Sequence, residues 1–276
     1  SSPRSDRSSA FLSAPAYPRG RDDPCVEQTC GQYTEMAIAR LAFATSVFSV
    51  DVDRVALHCN PVTCVISGIR GAVSVIGGGA SGGGEQVTGD TVLIRPGIEH
   101  RVVCDGGINA MYLDGLSWPE GAGLAERLAG DVGDLARDAL FQDVDAQDEL
   151  RRRLARGLPP FPQPLATVIE DLAADPMSRM TQLELADRLQ MERTRALRLF
   201  KAATGQTFRR FKQWSGLRHA ARLIAAGELV RTAAMDGGFA DTAHLTRTFR
   251  LSFGLTPSEA TAGLAKASPG SPSPRC

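Results

Sequence analysis

One ten-residue pattern occurs twice in the chain. Arg198, Phe200, Lys201, Gly205 and Thr207 stand in the same spacing as Arg247, Phe249, Arg250, Gly254 and Thr256, 49 positions later. A repeat of this kind predicts two copies of one supersecondary unit stacked in a single domain. In each copy a helix ends at a glycine suited to the left-handed C′ position, and a threonine two residues on can cap the next helix. The second copy continues Pro257, Ser258, Glu259, which puts proline at the first helical position and glutamate where a capping box needs it.

The helix before each glycine is two-sided. In the first, Ala196, Leu199, Phe200 and Ala203 fall at core spacing, and Thr194, Leu197, Arg198 and Lys201 form the opposite stripe. In the second, Leu245 and Phe249 face inward, and Ala243, Thr246, Arg247 and Arg250 outward. Each is preceded by a second short helix, at 183–189 or 230–236, with Ala186 or Ala234 at the crossing point. Paired short helices also occur in proteins that never touch DNA. Two pairs in register, each with a basic amphipathic second helix that a major groove admits, predict two helix-turn-helix motifs at 181–201 and 229–250.

Leu185, Ala186, Leu189, Arg198, Phe200, Lys201, Thr204 and Gly205, the turn at Gly238 and Phe239, and Arg247, Phe249, Arg250, Phe253, Gly254, Thr256 and Pro257 resemble the DNA-binding domain of the AraC/XylS family of transcription regulators. The resemblance spans residues 165–262. It implies base-reading positions at Arg193, Thr194, Arg195, Leu197 and Arg198 in the first module and at Thr242, Ala243, His244, Thr246 and Arg247 in the second. Arginine can bind guanine in a bidentate way, and apolar side chains can meet thymine methyls. Lys201 and Arg250, further from the helix start, suit phosphates. Glu192 stands where the family prefers a serine cap, and Ala196 where it prefers leucine.

The formal charge is zero, with 31 Lys+Arg against 31 Asp+Glu, but residues 177–262 hold 14 against 7, leaving 17 against 24 elsewhere. A basic module joined to an acidic partner is the electrostatic signature of a nucleic-acid binder. Arg40 interrupts the longest apolar stretch, 37–50, so no membrane span is expected. Residues 1–24 are Ser, Pro, Arg and Asp rich with no hydrophobic signal core. They read as disordered, and the chain as cytoplasmic. Cys25 and Cys30 match no zinc spacing and read as structural or incidental.

From 36 to 114 the texture turns to short β-branched runs broken by Gly, Asn and Asp, predicting strands at 43–50, 54–59, 64–67, 72–76, 91–95, 101–104 and 109–113. Many strands without helices between them argue for a sandwich or barrel. The glycine-rich stretch at 77–84 lacks the Lys-Ser/Thr ending of a phosphate loop and reads as a hairpin tip. Gly89, Asp90, Pro96, Gly97 and His100 resemble the second signature of the cupin family. The first signature survives as His58 and Asn60, with Cys64 where its glutamate belongs. The resemblance implies a cupin-like barrel, a double-stranded β-helix, over residues 25–116, of the kind AraC-like regulators use to receive an effector. Side chains two apart share a strand face, which directs His58 with Asn60, and His100 with Cys104, to one side. With Cys64 also inward, His58, Cys64, His100 and Cys104 would suit zinc or a soft metal. The preferred alternative makes both cysteines small core residues and lets His58, Asn60, Cys64 and His100 line a pocket for an organic effector, because register across Pro61 is not fixed by sequence.

Residues 117–157 read as helical. The resemblance places dimerising helices there, giving a homodimer, although the apolar faces equally suit packing on the chain's own barrel; Arg151, Arg152 and Arg153 read as a solvated edge. A proline-rich linker at 158–164, one long helix over 207–226 with Phe208, Phe211, Trp214 and Leu217 inward, and a Ser/Pro-rich tail at 263–276 complete the chain. The expected architecture is therefore α+β multidomain, a cupin-like β-barrel with helices followed by an all-α DNA-binding domain. The expected function is a non-enzymatic, effector-responsive regulator, an activator by family habit, with double-stranded DNA, a small molecule or metal ion and RNA polymerase as partners. A metal- or thiol-sensing regulator is the alternative. A cupin enzyme fused to a DNA-binding domain is disfavoured, because Cys64 replaces the carboxylate that metal catalysis would want.

Overall fold

The computed structural model describes residues 43, 45–78, 84–119, 121–155 and 162–266. The expectations for residues 1–24, for Cys25 and Cys30, for the centre of the glycine-rich tip, for most of the linker and for the tail beyond 266 lie outside the described residues.

Nine strands form the N-terminal half of the described chain: β1 Thr45–Val50, β2 Arg54–Cys59, β3 Thr63–Gly68, β4 Val73–Gly77, β5 Gln86–Gly89, β6 Thr91–Ile94, β7 Glu99–Val103, β8 Ile108–Leu113 and β9 Ala125–Arg127. They pair antiparallel in a five-stranded sheet, β1-β8-β3-β6-β9, and a four-stranded sheet, β2-β7-β4-β5. Val55, Val75 and Val102 of the smaller sheet share one core with Ile66, Val92 and Ile108 of the larger. All seven predicted strands are present, with ends within two residues of those expected. β5 and β9 were not predicted. β5 alternates but has one apolar side chain, Val87, in four residues, and β9 carries two exposed polar residues out of three, so neither presents the run of inward apolar residues by which a strand is recognised.

β9 corrects the expectation that 117–157 is helical throughout. Helices begin only at α1 (Gly130–Leu140) and α2 (Val144–Leu154). Ala136, Ala139, Leu140 and Leu150 of these helices pack on Val65, Leu93, Met111 and Leu113, covering the outer face of the five-stranded sheet. Arg151 is a second correction. It is 1% exposed, not solvated, and its guanidinium donates to Asp114 O and to Thr45 Oγ1.

The C-terminal half is helical: α3 Gln163–Ala174, α4 Gln182–Arg188, α5 Arg193–Thr204, α6 Phe208–Ala225, α7 Val230–Asp236, α8 Thr242–Phe253 and α9 Pro257–Lys266. The predicted punctuation is in place. Gly205 and Gly254 end α5 and α8 with φ of 74° and 71°, Thr207 accepts from Arg210 N, and Thr256 and Glu259 form the reciprocal pair that opens α9. Around Phe200, with Phe208 and Phe211 edge-on at 5.3 Å, α3, α4, α5 and the start of α6 close one core. The far half of α6 closes another with α7, α8 and α9, and that core is continuous with the interior between the sheets. The α6–α7 crossing needs two glycines: a Cβ on Gly216 would stand 2.2 Å from Gly237 O.

Candidate functional site

The two short second helices, α5 and α8, carry the predicted reading faces. On α5, Arg193, Thr194, Arg195, Arg198 and Lys201 are exposed, and Leu197 is half-buried over the core beneath. Ala196 is fully buried. Glu192 does the work of the expected serine: its carboxylate accepts from Arg195 N at 3.0 Å, and the backbone amides of Thr194 and Arg195 hold it below the usual carboxylate range. A carboxylate at a helix N-terminus is also favoured by the helix dipole.

On α8, Thr242, Ala243, Arg247 and Arg250 are exposed, and His244 and Thr246 half-buried. His244 lies edge-on to Phe239 at 5.2 Å. Thr246 Oγ1 donates to Thr242 O at 2.7 Å, which leaves its lone pairs to accept. Asp241 caps the helix through His244 N, a role that its type and place before Thr242 made readable. Each reading face is free of acidic side chains and ends on a base, Lys201 or Arg250.

A second site lies between the two halves of the molecule, a cavity of about 60 Å³. Its walls from the sheets include Phe48, Val55, His58, Asn60, Cys64, Ile66, Ala110 and Tyr112; its walls from the helices are Ala221, Ile224 and Ala225 of α6, Phe249 and Phe253 of α8, and Leu255 and Ala260. Phe253 stands within aromatic contact of Tyr112, Trp214, Phe249 and Phe48, at centroid distances of 5.3, 5.8, 4.6 and 6.3 Å. Such pairs contribute about 0.5–1.5 kcal/mol each beyond their burial. The C-terminal end of α8 thus plugs the open end of the sandwich. Ala56 N donates to Gly254 O at 3.1 Å, and a Cβ on Gly254 would fall 2.6 Å from Ala56 O and 2.7 Å from His58 Nδ1. Beside the plug, Asp114 accepts from Trp214 Nε1 at 2.6 Å and from the Arg218 guanidinium, with both side chains of the ion pair 2% exposed.

The polar end of the cavity is small. His58 and His100 are direct register partners on β2 and β7, with ring centroids 4.3 Å apart. Each Nδ1 donates to the carbonyl two residues before it, Ala56 O at 2.8 Å and Ile98 O at 2.9 Å. Burial lowers both imidazoles from their ordinary value, His58 to about 4 with His100 adding to the effect. Asn60 Nδ2 lies 3.4 Å from His100 Nε2, and Asn60 Oδ1 is buried without a partner. Of the four predicted effector residues, His58, Asn60 and Cys64 line the cavity, and His100 stacks behind His58.

The predicted metal set does not assemble. Among the described residues no three His, Cys, Asp or Glu side chains are placed to hold one ion. Cys104 falls beyond the end of β7 and donates its thiol proton to Val52 O, away from the histidine pair. Burial pushes the Cys64 thiol far above its usual range and Cys104 to about 11, which opposes the thiolate a soft metal requires. Sequence reasoning also missed the helical half of the cavity, because nothing in the apolar pattern of Phe249, Phe253 and Ile224 distinguishes a face turned to another domain from a core face.

Among the described residues no helix is long and apolar enough to cross a membrane. A family model described as a helix-turn-helix domain matches residues 185–262, from within α4 to α9. No curated protein matches this chain. Among solved structures, an apo ToxT variant from Vibrio cholerae strain SCE256 superposes with TM-score 0.53 at 13% identity, over 81% of this chain and 98% of that one. Unsaturated fatty acid bound wild-type ToxT from the same strain gives 0.52 at 13% identity, over 81% and 96%. At that identity the likeness is one of fold, and it embraces both halves together. The C-terminal region of the chain is a helix-turn-helix domain, joined to an N-terminal β domain in the arrangement of ToxT.

Proposed function

We propose that the chain is a one-component transcription regulator that reads DNA with α5 and α8 and is controlled by a small, mostly apolar effector held in the cavity between its halves. The observation that carries this reading is the shared wall: Phe249 and Phe253 belong to the same helix as the reading residues Arg247 and Arg250, and they close a cavity whose other side is sheet. A molecule seated there lies against that helix end, so its occupancy and the setting of the second reader are coupled. The β domain serves as a cupin-like receiver, a reading supported by the pairing of His58 with His100. ToxT, whose fold the chain shares, is recorded with an unsaturated fatty acid bound, which favours an apolar ligand. Activation through contact with RNA polymerase, and dimerisation, follow from the AraC habit.

The test is a thermal-shift screen of small apolar molecules on the full chain, with each hit then added to a fluorescence-anisotropy titration of duplex DNA. A hit is expected to change DNA affinity, and Ala110→Phe, which fills the cavity from β8, is expected to abolish both effects. Hits that act equally on Ala110→Phe would place the effector elsewhere.

A further inference from the structure

The chemistry of the cavity's polar end selects among apolar effectors. Among the described residues its lining contains no Lys, Arg, Asp or Glu, so a charged ligand would lose its hydration without gaining a counter-ion there, at a cost of several kcal/mol. What the histidine pair offers is acceptors. Because each histidine gives its Nδ1 proton to a backbone carbonyl, each neutral ring presents Nε2 as a lone pair. The Asn60 amide sets Nδ2 toward His100 Nε2 at 3.4 Å, where an N–H meets that lone pair. Asn60 Oδ1 is then an acceptor, in a residue 1% exposed, on the cavity wall and without a partner. An orphaned buried acceptor of this kind costs about 1–3 kcal/mol until something donates to it.

Resting on the reading of the cavity as the effector site, we infer that the effector is an uncharged, predominantly apolar molecule that donates one hydrogen bond, an alcohol or phenol, to Asn60 Oδ1, and that carboxylates are rejected. A carboxylate brings no proton to Asn60 Oδ1, whereas a hydroxyl supplies the missing proton and lays its hydrocarbon along Ile66, Ala110 and Phe253. The low basicity of both rings agrees with this, since neither becomes an imidazolium to receive an anion near neutral pH.

The test uses the full chain and three probes of matched length: 1-hexanol, its methyl ether, and hexanoate, each titrated by ligand-observed NMR at pH 7.5. Hexanol is expected to bind at least tenfold more tightly than either competitor. In Asn60→Leu, which replaces the amide by an apolar side chain of similar size, the alcohol-to-ether ratio is expected to fall to about one while the ether still binds; should that variant not fold, the wild-type ratios decide alone. Equal binding of alcohol and ether, or preference for hexanoate, overturns the donor assignment and leaves the cavity an effector site. Absence of binding by all three overturns the effector site itself.

Discussion

Asp114 offers the sharpest energetic test of the junction between the two halves. Its carboxylate accepts from Trp214 Nε1 and the Arg218 guanidinium, and both members of the ion pair are 2% exposed. Asp114→Ala leaves a guanidinium buried and uncompensated, which costs about 3–5 kcal/mol, and strands the indole N–H, adding about 1–3 kcal/mol where no water replaces the acceptor. Arg218→Met should be milder, since the carboxylate keeps the Trp214 bond. The double variant Asp114→Ala/Arg218→Met removes both charges and should be more stable than Asp114→Ala alone. Urea unfolding followed by circular dichroism on the four proteins gives the cycle, with a coupling energy of at least about 2 kcal/mol expected for groups sharing one buried network. Additive losses, or an Asp114→Ala loss below about 1 kcal/mol, would refute the claim that this pair fastens α6 to the sheets.

Three further outcomes follow from the same geometry. Lys201→Ala should weaken binding to all DNA sequences alike and lower the salt slope by about one unit, measured as log affinity against log salt. His58 takes a proton at about 4 in the folded chain and near 6.5 when unfolded, so the unfolded state binds the extra proton between those values. Stability should be flat in this respect above pH 6.5 and fall by up to about 3 kcal/mol as pH drops toward 4; His58→Phe should flatten that window in urea titrations at stepped pH. His100→Ala removes the partner that orients Asn60 and should abolish the effector response in the anisotropy assay while leaving DNA affinity in place.

The helical domain was the more legible half because its signals are local. Gly205 and Gly254 require positive φ, Thr256 and Glu259 cap one turn, and Phe200 and Phe249 follow Arg198 and Arg247 by two residues, so the pattern is written within a dozen residues. The histidine pair was legible as two inward positions, but its meaning was not. The register shift between Val55 and His58 and the placement of Cys104 past the end of β7 decide that two imidazoles stack without sulfur beside them, and neither follows from alternation. Arg151 read as surface because it sits among two other arginines, and its partners Thr45 and Asp114 are far away in the chain. The plug at Phe253 is a property of how two domains meet, and a sequence specifies that only through the shape both surfaces adopt after folding.

The claim on which the rest depends is that α5 and α8 read DNA together. It is tested by enriching a random duplex pool on the full chain and measuring anisotropy on the selected sequence with wild type, Arg198→Ala and Arg247→Ala. Two half-sites about 10–10.5 base pairs apart are expected, with each variant losing about 1–3 kcal/mol and its base preference in one half-site only. Selection of no sequence, or equal losses on selected and random DNA for both variants, would contradict the account.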